Sequence, residues 1–360
     1  MDKKKIIFLT NYCPHYRLPV FEALSKQYNM HFIFTNDGSS KGWNNYGTLR
    51  YNLCLSKSAL ILKLLLEDWD VLITGFPSWN SLFEFIVAKL RKKQLVFWIE
   101  EWHQPQTLVR MMLTPILKFI ARSCDAIVAC GSAAKAHMMD YGVASEKIFT
   151  APNASWVEAP LESELKPRTS ASHNKFIILY LGRLVRCKGV DYLIKAFSKM
   201  ENERDDIKLV IAGDGDFRSS LQQLSKELGI KNIEFVGACD PRERFHYYNM
   251  CDVFVLPSIW SPNHCEAWGL TLNEAMQFGK PVIATDAVGA SFDLIKNGVN
   301  GFVVKNGDVG SLYQALKKLL DDPELAETMG AESKKIIEER FTYERMIKGF
   351  KDALTFVGVS

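Results

Sequence analysis

Short apolar runs rich in β-branched residues alternate with helical patterns along the whole chain of 360 residues. This alternation constrains the fold most, because strands separated by helices assemble into parallel sheets covered by helices. Six candidate strands occupy the first half, at 5–10, 30–35, 71–74, 95–99, 126–129 and 148–151. Six more follow in the second half, at 176–181, 207–212, 233–236, 253–256, 281–285 and 302–304.

The best linker in the sequence is the stretch 158–174, which is rich in Pro, Ser, Glu and Lys and has no periodicity. The length of the chain also favours two domains. We therefore expect two doubly wound, Rossmann-like α/β domains facing each other across a cleft. The predicted bounds are 1–160 for the first domain, 161–174 for the linker and 175–341 for the second domain. A last helix at 342–360, with Thr342 as its N-cap, is expected to pack back on the first domain.

Composition excludes several classes of protein. A net charge of +3 is too small to indicate nucleic-acid binding. The sequence has no apolar run of the roughly 18 residues that a transmembrane helix needs, and its first residues lack a signal-peptide cleavage pattern. The eight cysteines form no Cys-x-x-Cys pair, which favours reduced thiols in a cytoplasmic protein over disulfides or a zinc site.

Two glutamates seven positions apart flank a predicted helix start. Glu266 precedes Gly269 in the loop, and Glu274 lies inside the helix that we expect to end at Gly279. Backbone N–H groups at a helix start suit a phosphate, and a carboxylate offers two acceptor oxygens to neighbouring sugar hydroxyls. The alternative is structural: Thr271 and Glu274 have the spacing of a capping box, and Glu266 is then an ordinary loop residue.

A glycine and two cations follow the first predicted strand of the second half. Gly182 permits close backbone approach, while Arg183 and Lys188 can bind a diphosphate through charge-assisted hydrogen bonds. Such cations would replace a metal ion at the leaving group. The alternative is a turn with two solvated charges.

The next predicted strand ends in a glycine-rich turn that contains Asp214 and Asp216. The turn lacks the complete dinucleotide-binding pattern of glycines. The two aspartates could hold a divalent metal, but aspartate is also common in such turns for its backbone geometry alone. Val236 and Gly237 end the following strand at the same edge, where their loop either covers a nucleobase or simply turns.

These segments, in this order and followed by 279–285 and 297–304, resemble the C-terminal domain of retaining glycosyltransferases of family 4, which have the GT-B fold. The resemblance covers about residues 176–310. It implies Arg183 and Lys188 at the diphosphate of a nucleotide sugar, Glu266 at the donor sugar, Glu274 at the ribose, and no metal cofactor. The implied donor-binding residues are Gly182, Arg183, Lys188, Gly213, Gly215, Val236, Gly237, Glu266, Trp268, Gly269, Leu270, Thr271 and Glu274. The sequence departs from the pattern at Asp293, where the family usually has glutamate, and in the unusual segment 260–265.

The first half matches this family less closely. The segment after the first strand has no glycine, so its polar residues His15, Tyr16 and Arg17 are assigned to the acceptor together with Glu101. His103 follows the fourth predicted strand and resembles the family's active-site histidine, which implies contact with the donor sugar. The implied catalytic residues are therefore Glu266, His103, Arg183 and Lys188. A purely structural histidine is the alternative at position 103.

The segment 110–122 predicts an amphipathic, basic, methionine-rich helix. Such a helix can lie on an anionic membrane or pack with its apolar side on the sheet. Both interpretations stay open, so contact with the inner face of a membrane is retained beside a cytoplasmic location.

The resulting hypothesis is a retaining, metal-independent glycosyltransferase. Its donor would be a nucleotide-diphosphate sugar, with UDP favoured, and its acceptor a glycan or lipid-linked hydroxyl. Two alternatives share the predicted fold: a nucleotide-sugar epimerase and a non-catalytic subunit that binds a nucleotide sugar. The base, the sugar and the acceptor are not determined by these patterns.

Overall fold

The computed structural model describes residues 4–36, 46–53, 56–78, 80–157, 175–261 and 266–359. The chain divides into two compact units, Met1–Ala154 with Thr342–Ser360, and Ser155–Phe341. The predicted linker at 161–174 lies outside the described residues. Among the helices that the structure describes, none combines the length and the hydropathy required to span a bilayer.

The first unit is built on a parallel sheet of seven strands in the order β3-β2-β1-β4-β5-β6-β7. Central strands are buried on both faces, which explains their nearly continuous apolar sequences. The strands are β1 (Lys5–Thr10), β2 (Asn29–Phe34), β3 (Tyr51–Leu53), β4 (Val71–Phe76), β5 (Gln94–Ile99), β6 (Ala126–Ala129) and β7 (Ile148–Thr150).

Five α-helices connect these strands in the part of the chain that the structure describes. They are α1 (Leu18–Gln27), α2 (Lys57–Leu66), α3 (Ser81–Leu90), α4 (Leu108–Ser123) and α5 (Ser132–Asp140). The chain passes from β1 through α1 to β2 on one side of β1, and later from β3 through α2 to β4 on its other side. The strand order therefore reverses between β1 and β4, and ligands of open α/β sheets bind at the carboxyl ends of strands at such a point.

The second unit contains a parallel sheet of six strands in the order β10-β9-β8-β11-β12-β13. Here the order reverses between β8 and β11. The strands are β8 (Phe176–Leu181), β9 (Ile207–Ala212), β10 (Ile233–Gly237), β11 (Val253–Leu256), β12 (Val282–Thr285) and β13 (Gly301–Val304). The helices are α6 (Val190–Glu201), α7 (Arg218–Glu227), α8 (Arg244–Met250), α9 (Leu270–Gln277), α10 (Ser291–Leu294), α11 (Val309–Asp321) and α12 (Pro323–Arg340).

The last helix, α13 (Tyr343–Phe356), belongs to the first unit. Thr342 is its N-cap, as predicted, and accepts a hydrogen bond from the backbone N–H of Arg345 at 3.3 Å. Phe350 on this helix packs against Phe8 of β1, with ring centroids 5.7 Å apart. The aromatic core of the first unit thus depends on the end of the chain.

All twelve predicted strands are present, with ends that differ by at most two residues. The strand missed by the prediction is β3, a three-residue edge strand with exposed side chains at Tyr51 and Leu53. Its sequence is too short and too polar to show a strand period. The fold prediction of two Rossmann-like α/β domains is confirmed.

Candidate active site

The loops after β8 and β11 meet where the strand order of the second sheet reverses. The backbone N–H of Ile259 donates to the carbonyl of Cys187 at 2.9 Å and joins the two loops. Gly189 lies in the same contact, since a Cβ built there would stand 2.1 Å from the carbonyl oxygen of Pro257. The close approach fixes the side chains that these loops carry.

Lys188 and Glu266 form an ion pair at this position. Their side chains are 12% and 15% exposed. The pair is therefore largely desolvated, but a ligand can still reach it from solvent. The hydroxyl of Ser258 donates to Oε2 of Glu266 at 3.4 Å. An ammonium group has three donors, so Lys188 can hold Glu266 and an anion together.

Arg183 lies near this pair and its side chain is exposed. Within the described part of the chain, no hydrogen bond or ion pair of its guanidinium is observed; its carbonyl accepts the hydroxyl of Tyr180 at 2.8 Å. Burial raises the pKa of the Cys187 thiol, Lys188 and Arg183 lower this pKa, and Glu266 raises it. All three predicted charged residues therefore act on one thiol, which places them in one neighbourhood.

Three predicted glycines end three adjacent strands at this edge. The N–H of Gly182 donates to Ala212 at 3.0 Å, and that of Gly213 donates to the carbonyl of Gly237 at 2.7 Å. A Cβ on Gly213 would stand 1.8 Å from the carbonyl oxygen of Gly182, so no other residue fits there. A Cβ on Gly215 would likewise stand 2.2 Å from the carbonyl oxygen of Leu184. Val236 is half-buried at the end of β10.

Asp214 of this turn has a local role. Oδ1 of Asp214 accepts the N–H of Gly215 at 2.8 Å, and Oδ2 lies 3.6 Å from Nη1 of Arg218. This is the turn-forming use of aspartate.

Helix α9 starts beside the ion pair. Gly269 caps it with φ 101°, and a Cβ on this glycine would lie 3.6 Å from Cγ of Glu266. Leu270 and Thr271 are the first two helical residues, so their N–H groups lie where a helix has no internal acceptor. The capping-box interpretation of Thr271 is wrong, because the cap is Gly269 and Thr271 lies within the helix. The helix ends at Gln277, two residues before the predicted Gly279.

Glu274 is buried, with 3% exposure, and has a separate set of partners. Oε1 accepts the Ser155 hydroxyl at 3.1 Å and Nη1 of Arg244 at 3.2 Å. Oε2 accepts the Tyr248 hydroxyl at 2.7 Å. These three partners have no motif in the sequence and were missed by the prediction. A ribose hydroxyl that binds Glu274 would have to share the carboxylate oxygens with these three donors or displace one of them.

The side chain of Trp268 lies in the core of the second unit. It is 4% exposed, and its indole N–H donates to Asn273 at 2.8 Å. From this position the indole of Trp268 cannot make the predicted contact with the nucleotide-sugar donor.

Arg17 of the first unit is buried, although the sequence assigns it to the acceptor. Its guanidinium pairs with Glu100, donates to Oδ1 of Asn153 at 2.8 Å, and lies 4.5 Å from the ring centroid of Trp98. Asn153 in turn donates to Glu100 at 3.1 Å. This arrangement holds the edge of the sheet together and leaves Arg17 at 4% exposure.

The other predicted residues of the first unit are more accessible. His15 is exposed and Tyr16 half-buried, with their rings 5.4 Å apart. Glu101 pairs with Arg110 and lies 3.7 Å from Nε2 of His137. Burial and the nearby His137 lower the pKa of His103, against an opposing effect of Glu101, so the neutral imidazole is favoured.

A cavity of about 320 Å³ opens at the carboxyl ends of β1, β4 and β5, where the strand order of the first sheet reverses. Trp98 lines it, and its buried indole N–H has no hydrogen-bond partner among the residues that the structure describes. Glu84 also lines it; burial raises the pKa of this carboxyl to about 8, although Thr74 donates to it at 3.1 Å. The sequence prediction missed Glu84, whose one signal is a lone acid in an apolar helix.

The second half of the chain is similar in sequence to known glycosyltransferases. Residues 162–336 match the family model described as "Glycosyl transferases group 1". The uncharacterized glycosyltransferase MJ1607 of Methanocaldococcus jannaschii is 32% identical over 54% of this chain and 48% of its own length. The capsular polysaccharide biosynthesis glycosyltransferase CapM of Staphylococcus aureus is 31% identical over 47% of this chain and 43% of its own. The match thus spans about half the length of these curated relatives.

The crystal structure of Anabaena Alr3699/HepE in complex with UDP superposes with a TM-score of 0.81. It covers 98% of this chain and 99% of the other chain at 19% identity. A likeness at this identity bears on the fold. The chain has the two Rossmann-like domains of the GT-B fold, and its residues 162–336 carry the sequence pattern of the group 1 glycosyl transferases.

Proposed function

We propose that this protein is a retaining glycosyltransferase of family 4 that uses a nucleotide-diphosphate sugar, with UDP as the favoured nucleotide. The observation that carries the proposal is the ion pair of Lys188 and Glu266 beside the exposed Arg183. Two cations and a carboxylate at a helix start suit a donor that joins a diphosphate to a hydroxylated sugar.

In this proposal the diphosphate binds to Arg183, Lys188 and the first N–H groups of α9. Glu266 accepts hydrogen bonds from the sugar. Its ion pair with Lys188 keeps this sugar site next to the diphosphate site. Glu274 is assigned to the ribose, with Arg244 and Ser155 as the partners that its hydroxyls would replace. The two cations neutralise the leaving group, so no metal ion is required.

The reaction proposed is front-face substitution with retention. The bond between the anomeric carbon and the diphosphate oxygen breaks, and the acceptor oxygen attacks from the same face. A diphosphate oxygen takes the acceptor's proton, which removes the need for a separate general base. Preorganised charges at Arg183 and Lys188 stabilise the negative charge as it develops on the leaving group.

The acceptor is assigned to the carboxyl edge of the first sheet, where the cavity lined by Trp98 and Glu84 lies. An unpartnered indole N–H and a carboxyl kept neutral by burial are both donors to hydroxyl oxygens. His15, Tyr16 and Glu101 would complete this surface, and the neutral His103 is assigned to the donor sugar. The acceptor class that fits is a hydroxyl of a glycan or of a lipid-linked sugar.

Two other functions remain testable on the same donor site. An epimerase would alter the donor with no acceptor present, and a binding subunit would take up the donor without transfer or hydrolysis. The similarity of CapM, a capsular polysaccharide glycosyltransferase, supports transfer to a glycan.

The test is a binding titration with UDP-, GDP- and ADP-sugars on the full chain, followed by transfer assays with the sugar that binds. Arg183→Ala should weaken nucleoside-diphosphate affinity about tenfold or more, since charged hydrogen bonds contribute about 1.5–3 kcal/mol. Arg186→Ala is the matched control, because this exposed arginine lies 5.3 Å from the Phe217 ring instead. Equal affinity in both variants would contradict the site, and a product of inverted anomeric configuration would contradict retention.

A further inference from the structure

Exposed apolar side chains concentrate on one group of helices in the first unit. Of 22 large hydrophobic residues exposed in the described part of the chain, 14 belong to α2, α3 and α4. The most exposed are Leu66, Leu90, Leu108 and Met112, at 78%, 75%, 80% and 79%. A soluble surface normally scatters such residues singly.

These helices form one continuous layer, because α2 contacts α3 and α3 contacts α4. Each also has an inward side that is already packed, including Leu64 on α2, Val87 on α3 and Ile120 on α4. Packing on the sheet therefore does not explain the outward apolar side chains. We call this outward surface of α2, α3 and α4 the α2–α4 face.

The surface charges of these three helices have one sign, and three of them, Lys63, Lys89 and Arg110, pair with carboxylates that lie outside the helices. The three helices contain six basic residues, Lys57, Lys63, Lys89, Arg110, Lys118 and Arg122. Their one acidic residue is Glu84, which is buried against the sheet. In the whole chain the balance is nearly even, with 44 basic and 41 acidic residues. The α2–α4 face thus combines apolar side chains with cations and presents no carboxylate of its own helices.

Several of these cations keep their charge available. Lys57, Lys118 and Arg122 have no carboxylate partner among the residues that the structure describes. Arg122 donates to the carbonyl of Tyr141 at 2.6 Å, and Lys118 lies 5.5 Å from the Tyr141 ring centroid. Neither contact neutralises the positive charge.

We propose that the α2–α4 face docks on an anionic lipid bilayer. Leu108, Met112 and their neighbours would enter the boundary between headgroups and acyl chains, while the lysines and arginines contact anionic headgroups. A second copy of the chain fits less well, because a twofold contact through this face would oppose cations with cations. The proposal does not depend on the reaction, but it would bring the chain to lipid-linked acceptors.

The experiment is sedimentation of the full chain with vesicles of neutral phosphatidylcholine and of phosphatidylcholine with phosphatidylglycerol. We expect binding to the anionic vesicles, weakened by salt. Met112→Glu should reduce that binding about tenfold or more, since it removes an inserted side chain and adds a negative charge. Lys118→Glu should reduce it about fivefold and flatten the salt dependence. Leu228→Glu, at a similarly apolar exposed position of the second unit, should bind like the original chain.

Each other outcome overturns the proposal. Absence of binding to anionic vesicles would do so, as would equal binding to neutral vesicles or an unchanged affinity of Met112→Glu. A concentration-dependent dimer that Met112→Glu abolishes, without vesicle binding, would assign the face to a second copy. Thermal melting and UDP affinity report folding, and both should be unchanged in Met112→Glu because this side chain is largely exposed.

Discussion

The two sheets hold the charges at their carboxyl edges in different ways. At the edge of the second sheet, Lys188 pairs with Glu266, and Arg183 nearby is exposed. At the edge of the first sheet, Arg17 is buried among Glu100, Asn153 and the Trp98 ring. A similar pair of charges is therefore open to a ligand beside the exposed Arg183 in one unit and enclosed by its neighbours in the other. The two edges differ in whether hydrogen-bond donors of the cations remain available to a ligand.

The largest effect should come from Glu266→Gln. The substitution keeps the shape but removes the charge beside the donor sugar, so we expect kcat to fall about 100- to 1,000-fold, the range for one preorganised electrostatic group. Nucleoside-diphosphate affinity should not fall, because Lys188 loses a competing carboxylate. Steady-state kinetics with Glu203→Gln as the exposed control measure this. An unchanged kcat would reduce Glu266 to a loop residue.

Glu84→Gln tests the buried carboxyl of the first unit. Its pKa is raised to about 8 by burial, whereas the unfolded carboxyl titrates near 4.5. Between these pH values the folded state binds more protons than the unfolded state, so the original chain loses stability as pH rises. The variant should be more stable at pH 8 by on the order of 4 kcal/mol, and the difference should vanish near pH 4.5.

Urea unfolding of the full chain at several pH values measures this slope, with the exposed Glu146→Gln as control. Parallel curves for the original chain and Glu84→Gln would mean that the carboxyl is ionised in the fold. Its role as a hydrogen-bond donor to an acceptor would then be wrong.

Arg17→Ala should lower stability by about 2 kcal/mol and leave UDP affinity unchanged. Removing the arginine breaks a buried pair, but Glu100 is 43% exposed and can hydrate, so the loss is smaller than for a fully buried charge. The urea midpoint and a UDP titration measure the two effects. A stable variant that loses acceptor binding would restore the acceptor role that the sequence predicts for Arg17.

The difference between these edges shows how far sequence reasoning extends. Every strand except β3 follows from a local pattern. The positions of Arg183, Lys188 and Glu266 do so as well, because each lies shortly after a strand or before a helix. The burial of Arg17 does not, since its partners Glu100 and Asn153 lie 83 and 136 positions away. The same is true of Ser155 and Tyr248 at Glu274. Contacts between distant segments carry no periodicity that a single sequence displays.

A double-mutant cycle tests whether Arg183 and Lys188 bind the same diphosphate. Each alanine variant is expected to weaken UDP binding about tenfold, as the loss of one charged hydrogen bond predicts. The double variant should lose less than the sum of the two effects, because both cations would act on one diphosphate. Calorimetric titration in excess chelator gives the three affinities. Strictly additive losses would place the two side chains on separate groups.

The smallest effect concerns His103, where burial and His137 lower the pKa. The unfolded imidazole binds a proton near pH 6.5, and the folded one, with its lower pKa, binds a proton only at lower pH. The unfolded state therefore gains protons first, and stability is lost as pH falls. His103→Gln keeps a neutral hydrogen-bonding group, and its urea midpoint should fall less than that of the original chain between pH 7.5 and 5.5. The same variant separates structure from catalysis. A lower kcat at pH 7.5, where its stability is unchanged, would support the predicted contact with the donor sugar. An unchanged kcat with the altered pH slope would make His103 a structural residue of the first sheet.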